Sequence, residues 1–207
     1  YNEGPLNAVL GAYYVNFSNR LLAITTGSGI QGNPSVLQNV GGVRAVGLEA
    51  LANLKLGHGL SLFGSYAYND STYQDNVVNS AGTVIAQTDG KTTVDSPKHI
   101  ARGEINYDDG AFFGRVGVNY MSKRYYTYEN IGVVPRQTLV DASIGYRLPV
   151  GMRKPVEIQL NAVNLFDSQY ISTIGTAGFV NRDPNGAFQT LMVGAPQTFF
   201  VTLKAGL

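Results

Sequence analysis

Few residues of this chain are equipped for bond-making chemistry. Cysteine is absent, which removes thiol nucleophiles, disulfides and thiolate metal sites. His58 and His99 are the two histidines, and neither stands at metal-ligand or triad spacing. His58 lies between two glycines in a short turn, where a solvated polar residue is the rule. His99 follows Pro97-Lys98 at the start of a strand pattern and reads as structural. Asp108-Asp109 is a turn pair ahead of Gly110, with no identifiable partner for acid–base work. The run Gly27-Ser-Gly-Ile-Gln-Gly32 lacks the Lys-Ser/Thr ending and following helix of a phosphate cradle. No catalytic residue, metal site or cofactor is expected.

What remains is the chemistry of recognition. Tyr125, Tyr126 and Tyr128 sit where a strand pattern meets a loop. Rings there can stack on a catecholate or a sugar, or form an interface belt or ordinary loop packing. Asn76, Asn79, Gln87 and Asp89 lie in one of the longest loops and can bind polar ligand groups or only water. A third set is charged. Glu49, Arg102, Glu104, Arg115, Asp141, Arg147 and Glu157 share strand faces with Ser, Asn and Gly. That composition reads as the wet wall of a lumen.

Strands must position these groups. The pattern predicts about eight. The first covers roughly Leu6 to Ile24, the second Val43 to Leu56, the third Leu60 to Tyr73 and the fourth His99 to Tyr107. The fifth is Phe112 to Tyr126, the sixth Thr138 to Leu148, the seventh Val156 to Tyr170 and the eighth Thr198 to Leu207. Period-two alternation is clear in several. Leu48, Ala50, Ala52, Leu54 and Leu56 oppose Glu49, Asn53 and Lys55; Val140, Ala142, Ile144 and Tyr146 oppose Asp141, Ser143 and Arg147. In the first strand, Val9, Tyr13, Val15 and Phe17 are taken as the apolar set.

Connections alternate in length. Gly57 to Gly59, Asp108 to Ala111 and Pro149 to Pro155 are short. Thr25 to Gly42, Gln74 to Lys98, Thr127 to Gln137 and Ser172 to Gln197 are long. Short turns at one end and long loops at the other match an outer-membrane barrel. No apolar run of about 18 residues is present, so a membrane-spanning helix is not expected and a barrel is the remaining way to cross. Charged residues are 14%, against roughly 25% in soluble proteins. A net charge of +1 gives no case for nucleic acid. A soluble all-β sandwich or barrel also alternates. Its apolar face would turn inward, and the charged opposite face argues for the membrane version. Tyr66, Tyr68, Tyr107, Tyr120 and Tyr146 then fall near strand ends, as an interface belt requires.

Ordered motifs sharpen this. Val46-Gly-Leu-Glu49, Ser96-Pro-Lys-His-Ile100 with Ile105-Asn-Tyr107, and Gly117-Val-Asn-Tyr-Met-Ser-Lys-Arg124 occur in turn. Val140-Asp141 with Tyr146-Arg147, Asn161-Ala-Val-Asn-Leu-Phe-Asp167 with Tyr170, and a closing Pro196 to Leu207 follow. In this order they resemble the C-terminal part of TonB-dependent outer-membrane receptors, and they span nearly the whole chain. The N-x-x-N-L-F-D segment is the most specific. One departure is Leu207, where the family commonly ends in an aromatic residue.

The resemblance implies an all-β, antiparallel transmembrane β-barrel segment: about eight strands of a larger barrel of about 22. Residues 1–207 would be its C-terminal part, with plug domain and N-terminal strands absent from this chain. It implies import of ferric siderophores or similar scarce nutrients, and a Gram-negative outer membrane. Implied partners are outer-membrane lipid, the rest of the barrel and plug, and TonB through the missing plug. An autonomous eight-stranded barrel with a structural or adhesion role is the alternative. It requires Leu6 to Phe17 to pair with Thr198 to Leu207. An outer-membrane lipase or protease would need a Ser, His and acid cluster that the sequence does not offer.

Overall fold

The computed structural model describes residues 1–25, 35–39, 41–79, 81–149, 155–175 and 190–205. The glycine run of residues 27–32 and the terminal Leu207 lie outside these. Strand β1 is Asn2–Glu3, β2 Leu6–Phe17, β3 Leu21–Thr25, β4 Ser35–Asn39, β5 Val43–Gly57 and β6 Leu60–Tyr73. Then come β7 Val77–Val78, β8 Val84–Ala86, β9 His99–Asp108, β10 Phe112–Met121, β11 Arg124–Tyr125 and β12 Val133–Val134. The remainder are β13 Gln137–Leu148, β14 Val156–Val163, β15 Ile171–Ile174, β16 Leu191–Val193 and β17 Thr198–Lys204.

One antiparallel sheet dominates, in the order β1-β2-β5-β6-β9-β10-β13-β14-β17. Every neighbour in it is the next long strand in sequence. The other strands form hairpins inside the long connections: β3–β4, β7–β8, β11–β12 and β15–β16. Tight turns join the opposite end. Gly57, His58 and Gly59 all adopt positive φ there (86°, 50° and 80°), which suits glycine and is tolerated at His58.

The register fixes two faces. Across one run Leu10, Ala50, Tyr66, Ala101, Tyr120 and Thr138. The same face carries Ile105, Val116, Ala142, Ala162 and Phe199 in the next strands. Large apolar side chains on it are exposed, Leu10 to 81% and Ile144 to 63%. The five tyrosines assigned to an interface belt lie on this face. The Tyr66 hydroxyl sits 2.7 Å from His99 Nδ1.

The first strand corrects its expected face. Val9, Tyr13 and Val15 stand opposite Leu51, Gly47 and Ala45, on the same side as Glu49. Leu6, Ala8, Leu10, Ala12 and Tyr14 take the apolar face instead. Both faces of β2 carry aromatic and β-branched residues, so alternation alone does not separate them. The tyrosine hydroxyl does: Tyr13 donates to Asn69 Oδ1 at 2.9 Å on the polar side.

Four strands end earlier than the alternation suggests; the eighth stops at Lys204, with Ala205 outside it. Asn19, at φ 54°, breaks the first pattern between β2 and β3. The fifth stops at Met121 and resumes as the separate β11. The seventh stops at Val163, because Asn164 adopts φ 51° and turns the chain. No closure joins β2 to β17. Strand β2 pairs with β1 and β5, and β17 pairs only with β14 among the described residues. The self-closed eight-stranded barrel therefore lacks the pairing it requires.

Candidate functional site

The long-loop end carries the molecule's buried cluster. Tyr73 closes β6 and is packed with Val43, Val77, Ala86 and Tyr128. The Tyr73 and Tyr128 ring centroids are 5.9 Å apart, tilted by 39°. Because β7–β8 folds back over the top of β6, the connection of residues 74–98 becomes part of a cap rather than a free loop.

Polar contacts tie that cap together. Glu129 Oε1 accepts Gln87 N–H at 2.6 Å. Asn130 accepts from Thr92 N and donates to Thr92 O, both at 2.8 Å. Thr127 Oγ1 accepts the N–H groups of Ile131 and Gly132, turning the chain toward β12. Arg124 is 5% exposed and bridges two connections. It donates to Asp95 Oδ1 at 2.9 Å and to the Ile171 carbonyl at 2.7 Å. Lower down, Tyr13 donates to Asn69, which donates to Ser96 Oγ at 2.8 Å. Lys98 Nζ meets Asp70 at 2.6 Å, and that hydrogen bond holds the ammonium above its ordinary pKa.

The polar face brings the charged residues into groups. Glu104 lies 2.9 Å from Arg102 and 3.7 Å from Arg115, and accepts from Asn106 at 3.0 Å. Toward the short-turn end, Arg147 forks onto Asp108 at 2.6 and 2.9 Å and reaches Glu157 at 3.1 Å. Its guanidinium lies 4.4 Å from the Phe113 ring centre. Glu157 also meets Lys204, at 3.5 Å. In the turn below, Asp109 accepts N–H groups of Phe112 at 2.7 Å and Ala111 at 2.9 Å. These bonds, Phe112 first, hold its carboxyl below the usual range. Glu49 shares this face, opposite Gly11 and Ala67.

The N-x-x-N-L-F-D segment forms a corner. Asn164 is 2% exposed. Its amide N–H donates to Asp141 Oδ1 at 2.9 Å, and its side chain donates to the carbonyls of Ser168 and Ala195. Asp167, at φ 50°, accepts Gln197 N–H at 3.0 Å. The corner thereby binds the top of β13 to the lead-in of β17. Asp141 thus caps this corner while sharing a face with Arg115 and Arg147.

Among the loop aromatics, Tyr125 and Tyr126 remain partly exposed, Tyr125 with Lys123 5.3 Å from its ring centre. Tyr128 departs from its expected place. It is 3% exposed, inside the cap cluster, so its ring serves packing and not ligand stacking. Burial pushes its phenol pKa up, Tyr73 adds to this, and the charge of Arg20 opposes it. Asn76 and Asp89 are both exposed and come together, Asn76 Oδ1 accepting Asp89 N–H at 3.0 Å. His58 is exposed in its turn. Arg20, Ser71 and Thr93 were given no role by sequence reasoning, yet they line a cavity of about 430 Å³ at the top of the polar face. Nothing in their spacing marks them, since strand β6 and two separate connections supply them.

Comparison with known proteins bears on this geometry. The family model described as TonB dependent receptor-like, beta-barrel matches residues 1–165. The ferrichrome outer membrane transporter/phage receptor of Escherichia coli K12 is 30% identical over 179 residues, which are 83% of this chain and 22% of that protein. A ferrioxamine B receptor of Salmonella typhimurium is 26% identical over 148 residues, 69% of this chain and 20% of that protein. The chain therefore spans about a fifth of the length of these curated relatives. In fold, it resembles the crystal structure of the ferric yersiniabactin uptake receptor of Yersinia pestis. There the TM-score is 0.72 at 20% identity, covering 97% of this chain and 27% of that one.

Proposed function

The chain belongs to the TonB-dependent receptor β-barrel family, and from that membership we propose that it is wall and outer loops of an importer of ferric siderophores or similar scarce nutrients. One observation carries this beyond the family. A single sheet has one exposed apolar face and one charged face, and among the described residues it bears a tied cap only at its long-loop end. Apolar outside, wet inside and looped at one end is the construction of an outer-membrane barrel. The apolar face contacts outer-membrane lipid, with the cap extracellular and the tight turns periplasmic.

In this reading residues 1–207 are the C-terminal part of a larger barrel. The open outer edge of β17 pairs with strands not in this sheet, since unpaired edges are not sustained in lipid. Glu49, Arg102, Glu104, Arg115, Asp141 and Arg147 line the lumen around a plug. Tyr125, Tyr126, Asn76 and Asp89 stand at the mouth. The contact with TonB belongs to the plug. Relatives named for ferrichrome and ferrioxamine B support an iron chelate as cargo.

The test is uptake of radiolabelled iron by a Gram-negative strain stripped of its own chelate receptors and expressing the full-length receptor. Uptake of at least one ferric chelate that stops when TonB is deleted is expected. Membrane insertion without uptake of any chelate in a broad panel would overturn the reading.

A further inference from the structure

The connection that carries Tyr125 and Tyr126 meets the wall through the side chain of Asn130. Residues 90–93 lie along the upper end of β6. Gly90 N–H donates to the Tyr73 carbonyl at 3.0 Å, Tyr73 N–H to the Lys91 carbonyl at 2.9 Å, and Thr93 N–H to the Ser71 carbonyl at 2.9 Å. Thr72 and Thr92 form the antiparallel bridge between these bonds. In a pair of this kind the two opposed residues exchange no hydrogen bond, so the N–H and carbonyl of Thr92 point away from β6. Both need a partner on that side. Asn130 supplies both: Oδ1 accepts Thr92 N–H and Nδ2 donates to the Thr92 carbonyl, each at 2.8 Å. One carboxamide thus takes the place of a neighbouring strand.

The residue type is demanded twice. A short carboxamide both donates and accepts in one plane, whereas an ionised aspartate only accepts and alanine does neither. Asn130 also adopts φ 59°, which asparagine tolerates better than other non-glycine residues. Its grip reaches the tyrosines through a tight turn. Asn130 N–H donates to the Thr127 carbonyl at 3.1 Å, and Thr127 Oγ1 holds the N–H groups of Ile131 and Gly132. Tyr126 N–H donates to the Gly132 carbonyl at 3.1 Å. The Tyr126 ring occupies the space that a Cβ on Gly132 would need, so the turn sets where that ring lies. Tyr125 pairs with Val133 at the foot of the same turn.

We propose that Asn130 is a positioning residue for ligand binding. It clamps the tyrosine-bearing connection to β6 through Thr92, so that Tyr125 and Tyr126 stand in their binding geometry before the ligand arrives. This rests on the import reading above, with these two rings facing the ligand. A mouth ordered in advance spares the ligand the cost of immobilising it. Without the clamp a smaller fraction of receptors is competent at any moment, and the apparent Kd rises by the inverse of that fraction. The Glu129 bond to Gln87 and the Tyr128 cluster remain, so the fold survives the loss.

The full-length receptor in detergent tests this with two probes, a ferric tris-hydroxamate and a ferric tris-catecholate. Asn130→Gly removes the carboxamide and leaves the backbone unstrained. It is expected to raise the Kd of the better-bound probe by roughly 3- to 30-fold, in line with two lost hydrogen bonds. Uptake by cells at saturating chelate should change by less than about twofold, since the clamp acts on occupancy alone. Asn130→Asp keeps the acceptor for Thr92 N–H, and its Kd should fall between. Amide exchange of a peptide covering Thr92 should speed up in Asn130→Gly, with heat-modifiable migration on gels unchanged. Faster exchange with an unchanged Kd, or lower maximal uptake with an unchanged Kd, overturns the positioning role and leaves import standing. Unchanged exchange overturns the clamp itself. A variant carrying both Tyr125→Ala and Tyr126→Ala that keeps the wild-type Kd overturns the placing of the ligand at these rings. Binding of neither probe, nor of any other ferric chelate, overturns the import reading as well.

Discussion

Tyr13 and Gly47 face one another across the β2–β5 ladder, and the tyrosine ring fills the space that a Cβ on Gly47 would need. The same arrangement recurs at Phe113 and Gly145 in the β10–β13 ladder. A ring over a cross-strand glycine covers backbone that a strand glycine leaves bare. The glycine of the Val46-Gly-Leu-Glu49 motif therefore has a structural reason. It lets Tyr13 reach Asn69, and Asn69 reach Ser96.

Gly47→Val should displace that ring and break the Tyr13–Asn69 bond. Overpacking of this kind costs about 1–3 kcal/mol. The expected outcome is a lower urea midpoint for the full-length receptor, followed by heat-modifiable migration. Tyr13→Phe, which removes only the hydroxyl, should lower the midpoint by less. An unchanged midpoint for Gly47→Val would mean that the ring has another place to go.

Asn164→Ala should be among the more damaging single changes in the wall. It removes three side-chain hydrogen bonds of a buried residue, two donated and one accepted from Ser168 N–H. It also puts alanine at φ 51°. At about 1 kcal/mol per bond plus about 1 for the backbone, a loss of about 2–4 kcal/mol is expected. Asn164→Gly relieves the backbone part alone, so it should recover some of the loss in the same unfolding assay.

Arg124→Met tests whether the cap moves as one body. The substitution keeps length and removes the bonds to Asp95 and Ile171. Asp95 is 41% exposed, so its loss of a partner is softened by solvent. Barrel stability should change little, whereas limited proteolysis should cut residues 74–98 several-fold faster. Cleavage at the wild-type rate would show that the Tyr73–Tyr128 cluster and the Glu129 and Asn130 bonds hold the connection without Arg124.

Asp109 makes a pH prediction. Its folded pKa is depressed by the N–H groups of Phe112 and Ala111. Its contribution is therefore present above the unfolded value of about 3.9 and disappears as pH falls through the lower folded value. Asp109→Asn should reduce stability at pH 7 and flatten its fall below about pH 4. Parallel acid titrations of unfolding midpoints in wild type and variant check this. Curves of identical shape would remove Asp109 as a contributor.

The wall was legible because lipid and lumen impose opposite chemistry on alternate residues. Leu60 to Tyr73 coincides with β6 for that reason. The first strand misled because Tyr13 is apolar in body and polar at its tip, and only its hydroxyl partner reveals the face. The seventh was overrun because the Asn164 turn depends on Asp141, 23 residues earlier. Loop chemistry was harder still. Tyr125, Tyr126 and Tyr128 look alike in sequence, yet long-range packing against Tyr73 buries one and spares two.

The strand order has a consequence for how this wall is made. From β2 to β17 each long strand joins the one laid down before it, so every ladder closes a modest loop. Loop-closure entropy rises slowly with length, and short-range pairing is the fast kind. The sheet can therefore grow by successive hairpins, in step with delivery of the polypeptide, with one slow event left over. In the larger barrel proposed above, that event is the pairing of the outer edge of β17 with the barrel's first strand, and it concentrates the kinetic difficulty of biogenesis at a single seam.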